Sequence, residues 1–371
     1  MKEKLVYIVS DIDKSLAFEW TIPHLKTQFD LSFILIGKEN TALSEFLSEN
    51  SVSYIQISDR SYPSRFSAWI KVFLILRKAK PRVVHTHLWR ANLLGLTASW
   101  LLRIPKRIFT RHHATIHYDT YKSGLKWDRL CNFLATHIIA VSENVKKILV
   151  EYDKANSLKV KIIHHGFDLQ YFESVEDARI ATVRKKYGID SSSSPVIGVI
   201  ARYVEWKGIQ YIIPAFAKLQ KDFPQAHLIL ANAQGDYDHN IKGLLNTLPT
   251  GSFTEILFET DLAALYKIFD TYVHVPINAT AEAFGQTYVE ALASGVPSVF
   301  TLSGIARDFI TDGYNAKVVD FQNTDQIYLA LSKILTHLSE KNKLIANGRK
   351  SVNERFPIKL MLEKLCNLYE S

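Results

Sequence analysis

The sequence predicts an α/β protein built from two doubly wound domains, each with a parallel sheet between layers of helices. Short β-branched segments alternate with longer segments of helical periodicity along the whole chain. One such alternating series occupies the first half of the chain and a second occupies the other half. Several of the short segments are continuously apolar, such as Val-Ile-Gly-Val-Ile at residues 196–200. Strands buried on both faces of a parallel sheet have this pattern. A chain of 371 residues is also longer than an ordinary domain with a single hydrophobic core, and this length favours two domains.

The strand and helix candidates follow in order along the chain. We predict strands at residues 5–10, 33–37, 54–57, 82–87, 107–110, 137–141 and 160–164 in the first half, and at 195–201, 227–231, 255–258, 272–276, 297–301 and 317–319 in the second. Helices are predicted at residues 63–79, 125–135, 143–152, 209–222, 262–269, 287–294, 324–339 and 341–356. The charged and serine-rich stretch 174–194 reads as a linker between domains 1–173 and 195–354.

Composition excludes several classes of protein. Hydrophobic residues make up 47% of the chain and charged residues 22%, which is globular rather than disordered. The two cysteines, Cys131 and Cys366, have no paired spacing, so we expect no disulfide framework or thiolate metal site and a cytoplasmic location. The first residues of the given sequence do not show the apolar segment (h-region) that is typical of a secretory signal peptide. The longest apolar run, residues 91–102, is shorter than the roughly 20 residues of a membrane span.

The positive charge is concentrated in the first half. The net charge is +9 over residues 1–173 and −1 over residues 174–371. This asymmetry indicates an anionic partner for the first half, either a bilayer surface, a lipid diphosphate acceptor or nucleic acid, although a solvated basic face is an equal alternative. Nucleic acid is the weakest of these, because no aromatic-basic module is present. We therefore expect no nucleic-acid partner.

The segment from residue 272 to residue 313 carries the clearest chemical signal. A buried strand ends near Pro276, a loop of small polar residues follows, and a helix begins near Gly285. The unpaired amides and positive dipole end of a helix start suit a diphosphate. Glu282 lies in the loop and Glu290 about one turn into the helix, where a carboxylate can accept both hydrogens of a vicinal diol. Taken alone, two such acids are more often a solvated loop residue and a first-turn helix acid.

A second signal lies at the carboxyl end of the first strand of the same domain. The sequence Gly-Val-Ile-Ala-Arg-Tyr-Val-Glu-Trp-Lys-Gly at residues 198–208 places Arg202 and Lys207 before the next helix. An arginine fork and a lysine ammonium can close around a diphosphate and stabilise it as a leaving group. The two signals require the same ligand.

With both signals present, the sequence resembles glycosyltransferase family 4, whose members are retaining enzymes of the GT-B fold. The Glu-x7-Glu signature of that family matches Glu282 and Glu290, and its Arg and Lys-Gly elements match Arg202 and Lys207-Gly208. Further matches are Ser294-Gly295-Val296-Pro297, Ser303-Gly304, Asp308 and Asp312-Gly313. The resemblance spans nearly the whole chain and is most specific over residues 196–320.

This resemblance implies two Rossmann-like domains facing each other across a cleft and a C-terminal helix, at about residues 355–371, that returns to the N-terminal domain. The N-terminal domain would carry the acceptor and the C-terminal domain the nucleotide-sugar donor. Glu290 would bind the ribose, Arg202 and Lys207 the diphosphate, and Glu282 the hydroxyls of the sugar. The donor would also contact the segment Ala283, Phe284, Gly285, Gln286 and Thr287. No metal cofactor is implied.

The first half matches the family less closely. The resemblance selects His87, in the run His85-Thr86-His87 after a buried strand, as a catalytic residue near the transferred sugar. Further candidates on the acceptor side are Arg111, His112 and His113 after the next strand, and His165, which stands where the family usually has asparagine. A zinc site at these histidines is a minor alternative, because no cysteine and no clear third ligand accompany them.

The loop after the first strand departs from the family pattern. The family places a glycine-rich turn there, but residues 10–15 read Ser-Asp-Ile-Asp-Lys-Ser. Asp11 and Lys14 are therefore candidates for the acceptor wall. Asp11-Ile12-Asp13 also spells the Asp-x-Asp pattern of metal-dependent GT-A enzymes, but its position after the first strand and the doubled architecture argue against that class.

Together these features predict a glycosyltransferase that moves a sugar from a nucleotide diphosphate to a hydroxyl acceptor in the assembly of a cell-envelope polysaccharide or a lipid-linked glycan. A sugar-nucleotide epimerase on the same fold and a non-catalytic sugar-nucleotide-binding relative are alternatives. Peripheral contact with the inner face of an anionic membrane is a further expectation. The segment 63–81, in which cations alternate with apolar residues, is either an amphipathic membrane helix or a helix that covers the sheet.

Overall fold

A computed structural model of the protein describes residues 2–58, 62–119, 121–189 and 194–371. The chain divides into two compact units. The first unit comprises Met1–Phe167 and Ile358–Ser371, and the second comprises Asp168–Pro357. Each unit is a parallel sheet with helices on both faces, which confirms the predicted α/β class and the two Rossmann-like domains.

The first unit contains a seven-stranded parallel sheet with strand order β3-β2-β1-β4-β5-β6-β7. Its strands are β1 (Lys4–Ser10), β2 (Asp30–Ile36), β3 (Ser53–Ile57), β4 (Val83–His87), β5 (Lys106–Arg111), β6 (His137–Ala140) and β7 (Val160–Ile162). Its helices are α1 (Leu16–Gln28), α2 (Ala42–Glu49), α3 (Tyr62–Ala79), α4 (Trp89–Leu101), α5 (Ile116–Asp119), α6 (Gly124–Leu134), α7 (Glu143–Lys147) and α17 (Ile358–Glu370).

Helix α17 brings the last residues of the described chain into the core of the first unit. Its buried residues Leu362, Leu365 and Tyr369 belong to the same apolar cluster as Leu5 and Tyr7 of β1. The carbonyl groups of residues 368 and 369 accept hydrogen bonds from the Lys106 ammonium, at 3.1 and 2.7 Å. The predicted return of the C-terminal helix is therefore confirmed.

The second unit contains a six-stranded parallel sheet with strand order β10-β9-β8-β11-β12-β13. Its strands are β8 (Val196–Ile200), β9 (His227–Ala231), β10 (Phe253–Ile256), β11 (Thr271–His274), β12 (Ser298–Phe300) and β13 (Lys317–Val318). Its helices are α8 (Leu169–Glu173), α9 (Asp177–Lys186), α10 (Ile209–Asp222), α11 (Asp238–Leu245), α12 (Leu262–Lys267), α13 (Gln286–Ala293), α14 (Ala306–Phe309), α15 (Thr324–Thr336) and α16 (Leu338–Arg355).

The predicted linker 174–194 differs from the structure. Helix α9 occupies ten of its residues and packs against α12. Arg179 of α9 forms an ion pair with Asp261, the N-cap residue of α12, with a shortest N–O distance of 2.6 Å. This stretch is therefore part of the second unit, apart from residues 190–193, which lie outside the described residues. The sequence of α9 is rich in charged residues, and the buried residue of this helix is Val183.

The hydropathy of the helices bears on membrane spanning. Among the residues that the structure describes, no helix has both the length and the apolar character needed to cross a bilayer. The apolar run at residues 91–102 lies mostly within α4, as expected for a helix that packs on the sheet.

Candidate active site

Each unit has a point at which the strand order reverses direction, and ligands of doubly wound sheets bind beyond the carboxyl ends of the strands at such points. In the first unit this point lies between β1 and β4, which end at Ser10 and His87. In the second unit it lies between β8 and β11, which end at Ile200 and His274. Most of the predicted site residues follow these strand ends.

In the second unit, a glycine fixes the turn that carries Lys207. Gly208 adopts a left-handed conformation with φ of +76°, and a Cβ atom there would lie 1.9 Å from the carbonyl oxygen of Val275. The turn at residues 205–207 therefore packs directly on the chain that leaves β11, and the Trp206 carbonyl accepts a hydrogen bond from the Ile277 amide at 3.1 Å. A larger residue at position 208 would separate these two segments.

This packing brings Lys207 and Glu282 together. The Lys207 ammonium lies 2.5 Å from Glu282 Oε1, and the same oxygen lies 3.0 Å from His274 Nε2. Burial alone would raise the pKa of Glu282, but the Lys207 charge and the His274 hydrogen bond outweigh it and lower the pKa to about 2. Glu282 is therefore ionised at neutral pH. The family resemblance assigns Lys207 to the diphosphate and Glu282 to the hydroxyls of the sugar. It does not predict the direct ion pair between these two residues.

The loop after Glu282 leads into a helix start, as predicted. Gly285 is the N-cap residue of α13, with φ of +84° and no side-chain cap, so the first amides of the helix lack intrahelical partners. Gln286 is exposed, and Ala283 and Thr287 are half-buried. Phe284 is buried, and its carbonyl oxygen accepts a hydrogen bond from the Ile305 amide at 2.9 Å. These residues lie in one segment beside Glu282, as the sequence predicted.

Glu290 lies on the buried side of α13, only 7% exposed. Its Oε2 accepts a hydrogen bond of 2.9 Å from the Tyr266 hydroxyl. Burial raises the pKa of Glu290 to about 7, and the Tyr266 hydrogen bond offsets only part of this rise. A buried carboxyl group with one partner retains acceptor sites for further hydroxyl hydrogens.

The raised pKa of Glu290 predicts a measurable dependence of stability on pH. Between pH 4.5 and about 7 the unfolded chain releases this proton while the folded protein keeps it. The free energy of unfolding therefore falls as pH rises through this window and levels off above it. We expect Glu290→Gln to remove this loss and to be more stable than the wild type at pH 8, by ~1–3 kcal/mol. Urea denaturation at a series of pH values measures this difference, and parallel curves for the two proteins would contradict it.

Arg202 occupies a different environment from Lys207. It follows β8 at the expected strand end, but its side chain is exposed, and no ion pair joins it to another described residue. The structure therefore places Arg202 at the predicted edge of the sheet without bringing it into the cluster of Lys207, Glu282 and His274.

In the first unit, four histidines pack in a row behind the sheet edge. The ring centroids of His85 and His87 lie 4.2 Å apart, those of His87 and His112 5.4 Å, and those of His112 and His165 5.6 Å. Burial lowers the pKa of His85 to about 3 and that of His165 to about 4, and burial with neighbouring imidazoles holds the pKa of His87 and His112 well below the usual range. All four are therefore neutral at physiological pH.

His87 has one ring nitrogen available for a ligand. Its Nδ1 lies 3.1 Å from His112 Nε2, whereas its buried Nε2 has no hydrogen-bond partner among the described residues. Buried polar atoms are nearly always paired, so this nitrogen is suited to a hydrogen bond with a bound ligand. His85 differs, because Tyr369 and Thr110 satisfy both of its nitrogens, at 2.7 and 2.8 Å. Of the His-x-His pair, only His87 keeps a free nitrogen.

The structure corrects the prediction for Arg111. This residue was expected at the acceptor wall, but it is 1% exposed and its guanidinium pairs with Asp128 at 2.9 Å and Asp153 at 3.2 Å. Its Nε donates to the carbonyl oxygen of His113. Arg111 is therefore a buried structural residue that holds the chain after β5, and its two acids are too distant in sequence for the pairing to be predicted.

The same cluster contains the group in the described chain that most resembles a metal site. Nitrogens of His113 and His117 and an oxygen of Asp128 lie within 4.8 Å of one another. However, Asp128 Oδ2 already accepts from His117 Nδ1 at 2.6 Å, lies 3.3 Å from His113 Nε2, and pairs with Arg111. The Arg111 cation already pairs with the Asp128 oxygen that a metal would need, and it would repel a metal cation bound at the same oxygen. We interpret the cluster as a salt-bridged network.

The loop after β1 has no glycine, in contrast to the glycine-rich turn of the family at this place. Asp11 adopts the left-handed conformation with φ of +56°, and its Oδ1 pairs with Arg90 Nη1 at 2.8 Å. Leu88, at the start of α4, also has a positive φ, of +73°. Lys14 is exposed. A cavity of about 340 Å³ lies here, lined by Ser10, Asp11, Leu88, Trp89, Arg90, Asn92, Thr110, His112 and His113. Two strained non-glycine residues beside one cavity are typical of a functional site.

Three residues of this geometry were not predicted from sequence. His274 bonds to Glu282, Tyr266 bonds to Glu290, and Tyr369 bonds to His85. The signal for His274 was its position in the buried strand Tyr-Val-His-Val-Pro, where a histidine must have a polar partner. Tyr266 and Tyr369 lie in apolar helical segments that carry no comparable signal.

Comparison with known proteins identifies the family of this chain. The family model "Glycosyl transferases group 1" matches residues 180–351, and the model "Glycosyltransferase Family 4" matches residues 37–171. Together the two matched segments cover most of the chain. The chain belongs to glycosyltransferase family 4. It is therefore a glycosyltransferase enzyme, and the predicted family is confirmed.

Relatives and solved structures agree with this family. The chain is 22% identical to the capsular polysaccharide biosynthesis glycosyltransferase CapM of Staphylococcus aureus, over 100% of this chain and 98% of CapM. It is 25% identical to the α-monoglucosyldiacylglycerol synthase of Streptococcus pneumoniae, over 71% and 60% of the two chains. The crystal structure of Anabaena HepE in complex with UDP and glucose superposes over 100% of both chains, with a TM-score of 0.86 and 18% identity. This transferase therefore has the GT-B fold.

Proposed function

We propose that this enzyme is a retaining glycosyltransferase that moves a sugar from a uridine diphosphate donor to a hydroxyl acceptor. The observation that carries the proposal is the uncapped start of α13 at Gly285, beside the ion pair of Lys207 and Glu282 and one turn from the buried Glu290. Unpaired amides with a nearby cation suit a diphosphate, and buried carboxyl groups suit sugar hydroxyls. The choice of uridine rests on HepE, which was crystallised with UDP.

In this proposal each residue has one task. The amides of Gly285, Gln286 and Thr287 bind the diphosphate, and Lys207 and Arg202 stabilise its charge as the glycosidic bond breaks. Glu290 binds the ribose diol and Glu282 the hydroxyls of the sugar. His87 Nε2, which has no hydrogen-bond partner among the described residues, contacts the transferred sugar.

Retention is proposed to occur by front-face transfer. Lys207 and His274 hold the Glu282 carboxylate through one oxygen, which suits a fixed acceptor of hydrogen bonds better than a covalent nucleophile. The leaving phosphate then takes the proton of the acceptor hydroxyl. Because the cations of the site carry the developing charge, we propose that the reaction needs no metal ion.

The acceptor is proposed to be a growing envelope polysaccharide or a lipid-linked glycan, reached from the inner face of an anionic membrane. CapM takes part in capsular polysaccharide biosynthesis, and the streptococcal relative is named as a glucosyldiacylglycerol synthase. The net charge of +9 over residues 1–173 favours an acceptor that carries or adjoins negative charge.

A panel of UDP-sugars followed by proton NMR tests this function. We expect one donor to be consumed with release of UDP, and an α-linked product from an α-linked donor, in the presence of EDTA. A β-linked product would contradict retention, and activity that EDTA abolishes and manganese restores would contradict metal independence.

The same spectra distinguish an epimerase. The chain also superposes on a UDP-GlcNAc 2-epimerase of Neisseria meningitidis, with a TM-score of 0.66. An epimerised nucleotide sugar without transfer would favour that second candidate.

A further inference from the structure

Helix α3 has two apolar faces, only one of which the fold uses. Ala68, Val72 and Leu76 are buried against the sheet. On the opposite side, Phe66, Ile70 and Leu74 recur every four residues, with 69%, 37% and 54% of their surfaces exposed. A helix that only covered a sheet would carry polar residues on this outer side. Helix α3 therefore covers the sheet with one apolar face and leaves a second apolar face exposed.

The neighbouring helices of the same layer repeat this feature. Helix α4 packs against α3, with a hydrogen bond of 2.9 Å from Trp69 to Thr97, and it also packs against α6. Trp100 and Leu101 at the end of α4 are about half exposed, and Phe133 of α6 is 70% exposed. Helix α17 packs on the opposite face of the sheet and provides a contrast. Its exposed large apolar residue is Leu360. We call the outer surface of α3, α4 and α6 the outer helical face.

The charges of this face have one sign. The sequences of α3, α4 and α6 contain seven Lys or Arg residues and one acid. Lys71, Arg77 and Lys78 of α3 are exposed, as is Lys126 of α6. The acid present between residues 121 and 134 is Asp128, which is buried and paired with Arg111. Cations near exposed aromatic and aliphatic residues, without intervening acids, are complementary to an anionic lipid surface.

We propose that the outer helical face docks on an anionic phospholipid bilayer, with the apolar side chains of α3 inserted among the acyl chains and the lysines and arginines at the lipid phosphates. The two contributions reinforce each other, because weak apolar insertion becomes stable when several charges are added. This inference deepens the proposed function, which sets the acceptor at a membrane, but its physical basis is independent of the donor site in the second unit.

Vesicle co-sedimentation tests the proposal. The wild-type protein is expected to bind vesicles of phosphatidylglycerol and phosphatidylcholine at least about tenfold more tightly than vesicles of phosphatidylcholine alone, and salt at about 0.5 M should weaken this binding. Two triple variants, Phe66→Ser/Ile70→Ser/Leu74→Ser and Lys71→Glu/Arg77→Glu/Lys78→Glu, should each lose at least about tenfold in affinity. Circular dichroism melts establish that both variants are folded.

Matched variants in the second unit provide the control. Leu329 and Leu338 are 61% and 69% exposed, and Leu329→Ser/Leu338→Ser should bind vesicles like the wild type. Equal binding to both vesicle types, or unchanged binding of both folded triple variants, would overturn the proposal. So would binding to a single-stranded RNA oligonucleotide that is as tight as binding to anionic vesicles and is lost in the same variants.

Donor turnover separates this inference from the proposed function. UDP release without lipid should be unchanged in both triple variants, because neither touches the donor site. Vesicle binding by a protein that turns over no nucleotide sugar would refute the proposed function and leave the docking surface intact.

Discussion

Replacing Lys207 by alanine, or Glu290 by alanine, is expected to lower turnover of the sugar-nucleotide donor at least about tenfold, or ~1.4 kcal/mol of transition-state stabilisation. Under the proposed assignment, the leaving diphosphate loses a cation in the first variant, and the ribose loses a buried hydrogen-bond acceptor in the second. Release of UDP under steady-state conditions measures both effects.

The ion pair of Lys207 with Glu282 makes a sharper test possible. Because Lys207 Nζ and Glu282 Oε1 are 2.5 Å apart, the effects of Lys207→Ala and Glu282→Gln should not add in the double variant. Lys218→Ala is the matched control, since Lys218 pairs with Asp325 on the exposed surface of the same unit. Near-wild-type turnover in both Lys207→Ala and Glu290→Ala would remove the donor-site assignment.

The largest effect on stability is expected at Arg111. Replacing it by methionine leaves the buried carboxylates of Asp128 and Asp153 without their cation, and breaking a buried pair from one side costs about 3–5 kcal/mol. Burial raises the pKa of Asp128, yet hydrogen bonds from His113 and His117 and the Arg111 charge hold this pKa well below its usual range. The two histidine hydrogen bonds do not depend on Arg111, so we expect Asp128 to stay charged in the variant.

Tryptophan fluorescence during urea denaturation measures this loss in the first unit, which contains five of the six tryptophans. Lys147→Met is the control, because Lys147 and Glu151 form a solvent-exposed pair in the same unit, and loss of such a pair changes the free energy of unfolding by less than about 1 kcal/mol. If Arg111→Met unfolds at the same urea concentration as this control, the buried network is not an important source of stability.

The sheets were predictable from sequence because buried parallel strands are short, apolar and separated by helices. Every predicted strand overlaps a strand of the structure, and the predicted ends differ from the observed ones by at most three residues. Helix α9 was missed because its sequence is mostly charged, and one buried residue, Val183, gives no periodic signal.

The site was predictable only where local sequence determines it. The loop and helix start from Glu282 to Glu290 form one continuous segment, so their proximity follows from the chain itself. The pairing of Lys207 with Glu282 depends instead on Gly208 packing against Val275, and the burial of Arg111 depends on acids 17 and 42 residues away. Such contacts arise from tertiary packing, which neither spacing nor residue type shows.

The position of α17 inverts the order in which the two units can be completed during synthesis. All residues of the second unit, 168–357, leave the ribosome before α17 does, whereas the first unit must wait for Tyr369 to cover Tyr7 and His85. The nascent chain therefore carries an incomplete N-terminal core while the later core is already able to close. Chaperones that act on this protein during translation would meet the uncovered side of β1 rather than the second sheet.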